Sequence, residues 1–228
     1  MDFLQDLNPR QRQAVEHTDG PLLILAGAGS GKTRVITYRI AHLIRNRGVA
    51  AQALLAVTFT NKAAGEMRDR VAVLVKGASS PPWVSTFHAF CVRLLRMHGA
   101  SLSQIRPGFT TQFSIYDEAD QLSIVKAVFR QLGLDEKFLS HEAALGKIGD
   151  AKNRRITPAD YQRDARDPKS GKMAVVYDYY EQALRRANAL DFDDLLLEAV
   201  RLLRHDEAVR RRMVERFRYI LVDEYQAT

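Results

Sequence analysis

Residues 21 to 33 read PLLILAGAGSGKT. An apolar run stops at three closely spaced glycines, and Lys32 and Thr33 then open a stretch with helical periodicity. A short continuous apolar run bounded by a turn suits a strand buried on both faces, as in parallel sheets covered by helices. The stretch from about 32 to 47 carries Val35, Ile36, Ile40, Leu43 and Ile44 on one face, and Gly48 supplies a stop. The same alternation continues downstream. ALLAVTF (53–59) predicts a second buried strand, NKAAGEMRDRVAVLV (61–75) a helix with Ala64, Met67, Val71 and Leu74 in register, and WVSTF (83–87) a third strand after Pro81 and Pro82. Ahead of them, Asn8 as a cap and Pro9 at the first helical position predict a helix over 7–17. Strand, helix, strand, helix, strand is the pattern of a doubly wound parallel α/β sheet.

From about 90 to 211 the texture becomes helical. YDEADQLSIVKAVFRQLG (116–133) has Asp117 as a cap and Gly133 as a stop, 170–189 reads as a long helix, and FDDLLLEAVRLLRHD (192–206) sets Leu195, Ala199 and Leu202 on one stripe. Residues 157–172 read as loops and short helices. RYILVDEYQAT (218–228) then returns to a buried strand ending in two acids. That last strand needs a sheet, and the N-terminal one is the parallel sheet in view. The expected organisation is therefore an α/β domain built from 1–89 and 212–228, interrupted by a helical insertion over 90–211.

The chain carries +7 formal charge, and residues 1–89 hold 11 lysines and arginines against 6 acids, so the surplus sits beside the glycine loop. Such a surplus is compatible with a polyanionic partner and equally with a solvated surface. No segment reaches the roughly 18 apolar residues of a membrane span, so no membrane partner is expected. The N-terminus lacks the basic-then-apolar pattern of a signal peptide. Cys91 is the single cysteine, which excludes an internal disulfide and a cysteine-built zinc site and fits a reducing, cytoplasmic compartment.

AGAGSGKT (26–33) fits the phosphate-loop pattern, with Ala26 where the strict form has glycine. The glycines Gly27, Gly29 and Gly31, with Ala28 and Ser30 between them, let successive backbone N–H groups curl around phosphate oxygens. The helix that follows adds its positive dipole end. Lys32 supplies a mobile cation for the β- and γ-phosphates, and the Thr33 hydroxyl suits Mg²⁺. ATP and Mg²⁺ are the expected ligands. A second half of such a site needs a carboxylate at a neighbouring strand end, and YILVDE provides Asp223 to hold the metal and Glu224 to orient or deprotonate an attacking water.

LNPRQRQAV, AGAGSGKTR, AVTFTNKAAGEM, STFHAF, LDFDDLL and LVDEYQ occur in an order and spacing that resembles the UvrD/Rep/PcrA branch of superfamily 1 DNA helicases, from residue 7 to the end of the chain. The resemblance implies a P-loop NTPase (RecA-like) first motor domain carrying a mostly helical insertion. It implies an ATP-dependent enzyme, a DNA helicase moving 3′ to 5′ along single-stranded DNA, with single-stranded DNA and junctions of single and double strands as partners and a place in DNA repair. It makes Gln11 the reader of the adenine edge and Arg34 the group packed on the base. It makes Thr58, Phe59, Thr60, Asn61 and Lys62, with Thr86, Phe87 and His88, contacts to single-stranded DNA. The acids of LDFDDLL, which tempt a metal reading, are read instead as the cap and charged first turn of the following helix.

In the resembled family a large share of the motor follows the acidic motif, including the second motor domain and the arginines that clamp the γ-phosphate. The 228 residues alone are accordingly expected to bind nucleotide weakly, to hydrolyse it slowly at most, and not to unwind DNA. Ala227 stands where the family usually has aspartate. Three other readings were weighed: a non-catalytic module that binds DNA or a partner protein and retains the loop, the front of a helicase–nuclease, and an unrelated P-loop kinase or GTPase. The strand-end Thr-Phe-Thr-Asn-Lys argues against the last.

Overall fold

The computed structural model describes residues 3–27, 29–77, 80–135, 137 and 139–225. The chain divides into two compact units, Met1–Phe90 with Arg211–Thr228, and Cys91–Arg210.

In the first unit, α1 (Pro9–Glu16) starts where the Asn8 side chain accepts from the Gln11 backbone N–H and the Gln11 side chain accepts from that of Asn8, a reciprocal capping box. Helix α2 (Lys32–Arg45) follows Gly31. Strand β1 (Leu54–Thr58), helix α3 (Asn61–Leu74), strand β2 (Trp83–Thr86) and, numbered along the whole chain, strand β5 (Tyr219–Val222) complete the frame. The sheet runs β2–β1–β5 and both pairings are parallel, with Leu55 opposite Trp83 and Leu54 opposite Tyr219. β1 is buried along its whole length. Leu54 and Ala56 pack with Ile40, Leu43, Met67 and Val71 on one face, while Leu55 and Val57 pack with Phe217 on the other. This is the period-two alternation of a central strand covered on both sides. Trp83, Phe90 and Phe217 close the second face edge to face, with ring centroids 5.5–6.1 Å apart.

One predicted strand does not form. Residues 21–26 pair with no neighbour among the described residues. Ile24 packs on the cluster of Leu4, Leu7, Val15 and Val35, but Leu23 is 65% exposed and Leu25 86% exposed. The segment keeps a strand's in–out alternation without a ladder. Apolar patterning reports the side chains' preference for burial, whereas a strand also needs a neighbour to take its backbone N–H and C=O groups.

The second unit is helical. It contains α4 (Phe87–His98) from Cys91 onward, α5 (Glu118–Leu132), α6 (His141–Asn153), α7 (Pro158–Asp164), α8 (Pro168–Arg186), α9 (Phe192–His205) and the start of α10 (Glu207–Arg216). A short parallel pair, β3 (Ser114–Ile115) with β4 (Ala189–Leu190), was not legible in the sequence. Side-chain caps at Asp117, Ser140, Thr157, Asp167 and Asp191 start five of these helices. The core gathers Val125, Phe129, Ile148, Met173, Val176 and Tyr180.

Beside that core lies a buried ionic cluster. Lys152, 1% exposed, places its ammonium 2.6 Å from Asp191, 2.8 Å from Asp194 and 2.8 Å from Glu181. Arg106 donates to Glu198 at 2.8 Å, and the Tyr180 hydroxyl donates to Asp191 at 2.9 Å. Burial works against the Lys152 charge, yet its three carboxylates outweigh that and hold it well above the usual lysine range. Burial, reinforced by Glu181 and Asp191 and opposed by Lys152 and Arg106, pushes the Asp194 carboxyl up to about 7. The acids of LDFDDLL do start a helix: Asp191 accepts from the Asp194 N–H at 2.8 Å as the α9 cap. Their ion pairs to Lys152, 39 and 42 positions earlier, lie beyond local pattern.

Candidate functional site

The carboxyl ends of the three parallel strands of the first unit each carry predicted site residues. Open parallel sheets take ligands at this edge. Thr58 ends β1 opposite Thr86, the end of β2, and Asp223 follows β5 with its N–H donating to the Val57 carbonyl at 2.9 Å. Three motifs far apart in sequence thus share one edge because the strands that carry them are parallel and in register.

The glycine loop meets this edge. Thr33, at the start of α2, donates its hydroxyl to Asp223 Oδ2 at 3.1 Å across 190 positions of chain. Asp223 is 4% exposed, so its carboxylate is presented from within the fold rather than to bulk solvent. Gly29 and Gly31 adopt φ of 74° and 85°, the left-handed region that glycine enters without a Cβ clash. Ser30 Oγ donates to the Gly27 carbonyl at 2.7 Å and fastens the turn. The Lys32 ammonium donates to the carbonyls of Ala26 and Gly27 at 3.2 and 3.3 Å, folded back over the loop. Ala28 lies outside the described residues, as does Ala227. Glu224 holds φ of 56° and donates its N–H to Asp223 Oδ1 at 3.1 Å. Left-handed backbone is uncommon for a non-glycine residue and costs on the order of 1–3 kcal/mol.

Gln11 reaches the loop as well: its amide donates to the Ser30 carbonyl at 3.0 Å. Arg34 donates to the Asp6 carbonyl at 2.9 Å, and its guanidinium sits 5.2 Å from the Tyr38 ring centroid. Tyr38 was missed in the sequence. Its spacing of four from Arg34 on a helix face was the available signal.

The predicted nucleic-acid contacts divide by exposure. Phe59 is 56% exposed at the end of β1, and Asn61 and Lys62 are exposed in the first turn of α3. Thr60 is exposed and caps α3, accepting from the Ala63 N–H at 3.1 Å. Thr58 is 1% exposed, and its hydroxyl has no hydrogen-bond partner. Thr86 is buried and accepts from the Ala89 N–H at 3.2 Å. Phe87 is half-buried against the cluster of Leu55, Val57 and Phe217, and His88 is half-buried.

Chemically, the edge offers a nest of backbone around Gly27–Gly31, a helix N-terminus, a mobile ammonium, and a hydroxyl beside a carboxylate. The last two are hard oxygen donors of the kind Mg²⁺ takes together with phosphate oxygens and water. The arrangement fits a magnesium–polyphosphate.

A sequence model of the UvrD/REP helicase N-terminal domain matches residues 7–228. The ATP-dependent DNA helicase UvrD1 of Mycobacterium tuberculosis is 48% identical over 230 residues, covering 99% of this chain and 29% of that protein. The ATP-dependent DNA helicase PcrA of Staphylococcus aureus is 44% identical over 226 residues, covering 99% of this chain and 30% of that protein. The chain therefore spans about 30% of the length of these relatives.

Proposed function

The chain belongs to the UvrD/REP helicase family, and from that premise we propose that its first unit is the first motor domain, with a P-loop NTPase fold, of an ATP-dependent helicase that moves 3′ to 5′ on single-stranded DNA. The helical unit is then the insertion carried on that motor. The observation that carries this reading is the 3.1 Å bond between Thr33 and Asp223, which joins the two halves of a nucleotide site across 190 positions.

In this reading the loop 27–31 cradles the phosphates. Lys32 leaves the carbonyls of Ala26 and Gly27 for phosphate oxygens, a small movement for a flexible four-carbon side chain. Thr33 and Asp223 hold Mg²⁺, which when bound offsets charge on the phosphates. Glu224 orients water, Gln11 turns its amide to the base edge, and Arg34 packs on the base plane. Phe59 offers a ring for base stacking, worth about 1–3 kcal/mol per base, and Thr60, Asn61 and Lys62 lie beside it for phosphate and sugar. Thr86, Phe87 and His88 extend the same strand-end surface, with Thr58 supporting it from within. Because the relatives are more than three times as long, the 228 residues alone are proposed to bind ATP–Mg²⁺ and DNA weakly and not to unwind.

Titration of a fluorescent ATP analogue in Mg²⁺ tests the site. Binding should weaken at least tenfold in Lys32→Ala and in Asp223→Asn, a loss of about 1.4 kcal/mol or more. Equal affinity of both variants and the unaltered chain would refute a shared site.

A further inference from the structure

The helical unit encloses a cavity of about 410 Å³ that the helicase reading does not use. Its size falls in the range of small-molecule sites, roughly 300–1,000 Å³. The polar groups around it are arranged by sign. At its inner side stands Glu198, 2% exposed. Glu198 Oε1 takes both Arg106 at 2.8 Å and Arg201 at 2.9 Å, while Oε2 has no hydrogen-bond partner. A buried carboxylate oxygen without a donor is uncommon and calls for a partner. The exposed side of the lining carries Arg155, Arg185 and Arg204, none of which makes an ion pair among the described residues. Three guanidiniums around one opening repel one another and match a phosphate's acceptor geometry. Between the two poles the wall is Tyr177 and Leu197, an aromatic and an aliphatic side chain suited to a flat ring.

A simple anion would satisfy the arginines and leave Glu198 Oε2 unpaired. A simple amine would do the reverse. We propose that this cavity binds a mononucleotide whose base carries N–H donors: the phosphate lies on Arg155, Arg185 and Arg204, the base lies along Tyr177 and Leu197, and a base N–H donates to Glu198 Oε2. The site is separate in residues from the glycine loop, and it stands whether or not that loop binds ATP.

The test uses the full chain carrying Lys32→Ala, to silence the glycine loop, and GMP as probe, with guanosine and inorganic phosphate as its two halves. Calorimetric titration should give a GMP dissociation constant of about 1 mM or tighter, with guanosine and phosphate each at least tenfold weaker. Adding Arg185→Ala and Arg204→Ala should weaken GMP at least tenfold without moving the thermal midpoint, since both side chains are exposed on helices and alanine favours a helix. GMP binding that survives the double arginine variant, phosphate binding as tight as GMP, or no saturable GMP binding overturns the proposal.

Discussion

Replacing Lys152 by methionine removes a cation that three buried carboxylates share, at 2.6 Å for Asp191, 2.8 Å for Asp194 and 2.8 Å for Glu181. Methionine has nearly the same length and fills the space, so little cavity is created. The cost comes from leaving charge without its partner, for which breaking one side of a buried ion pair typically takes 3–5 kcal/mol. Arg106 offers little relief, because it is engaged with Glu198 at 2.8 Å and lies 3.8 Å from Asp194. Proton uptake offers some, because the Asp194 carboxyl already sits at about 7. The loss should therefore be near 3–5 kcal/mol at alkaline pH and smaller at acidic pH. Urea unfolding followed by far-UV circular dichroism measures it; with a slope of about 2 kcal/mol/M the midpoint falls by about 2 M. The double variant Lys152→Met with Asp194→Asn should recover part of the loss, since neutralising one acid removes part of the unpaired charge. A loss below about 1 kcal/mol, or strict additivity in the double variant, would refute the account of Lys152 as the charge that makes the cluster tolerable.

Three further outcomes are expected. Because the folded Asp194 carboxyl titrates near 7, above its ordinary value of 3.8, the folded state holds a proton that the unfolded state has released between those values; its stabilising contribution is complete below about 4 and lost as pH rises through 7. The thermal midpoint should rise on going from pH 8 to pH 6, and Asp194→Asn should flatten that slope. Gly31→Ala should lower stability by about 1–2 kcal/mol through the left-handed backbone alone, and its Cβ would stand 2.9 Å from the Gln11 amide nitrogen, so nucleotide affinity should fall with it. Cys91 is 7% exposed and burial pushes its thiol up to about 12, so a thiol reagent at neutral pH should modify it only as fast as the protein opens in denaturant.

Local chemistry was readable where a feature is settled within a few residues. The Asn8 cap, the Thr60 cap, the Gly133 stop and the strands over 54–58, 83–86 and 219–222 all follow from periodicity and turn residues. The parallel pairing of β5 with β1 followed from a wider consideration, that a buried strand needs a sheet. Three features escaped. The strand expected at 21–26 depended on a neighbour that composition cannot supply. The β3–β4 pair is two residues long on each side, too short for any pattern. Lys152 sits in a helix with little amphipathic signature, and nothing local distinguishes it from the solvated lysines of the chain until α9 is folded beside it. Within the candidate site, residue types and spacing indicated the chemistry, while the exposure of Phe59 and the burial of Thr58, neighbours in sequence, required coordinates.

The pairing of Leu54 with Tyr219 has a consequence for biogenesis. A ribosome adding about 5–20 residues per second needs roughly ten to thirty seconds to pass from one partner to the other. Throughout that interval the nascent chain carries β1 with one flank open, next to Leu23 and Leu25 already in contact with solvent. The helical unit, whose contacts are its own, has time to mature first and to bring the late strand home as a tether shortened by folding. Slowing translation within residues 91–210 would therefore lengthen the period in which the open flank can recruit chaperones or another chain.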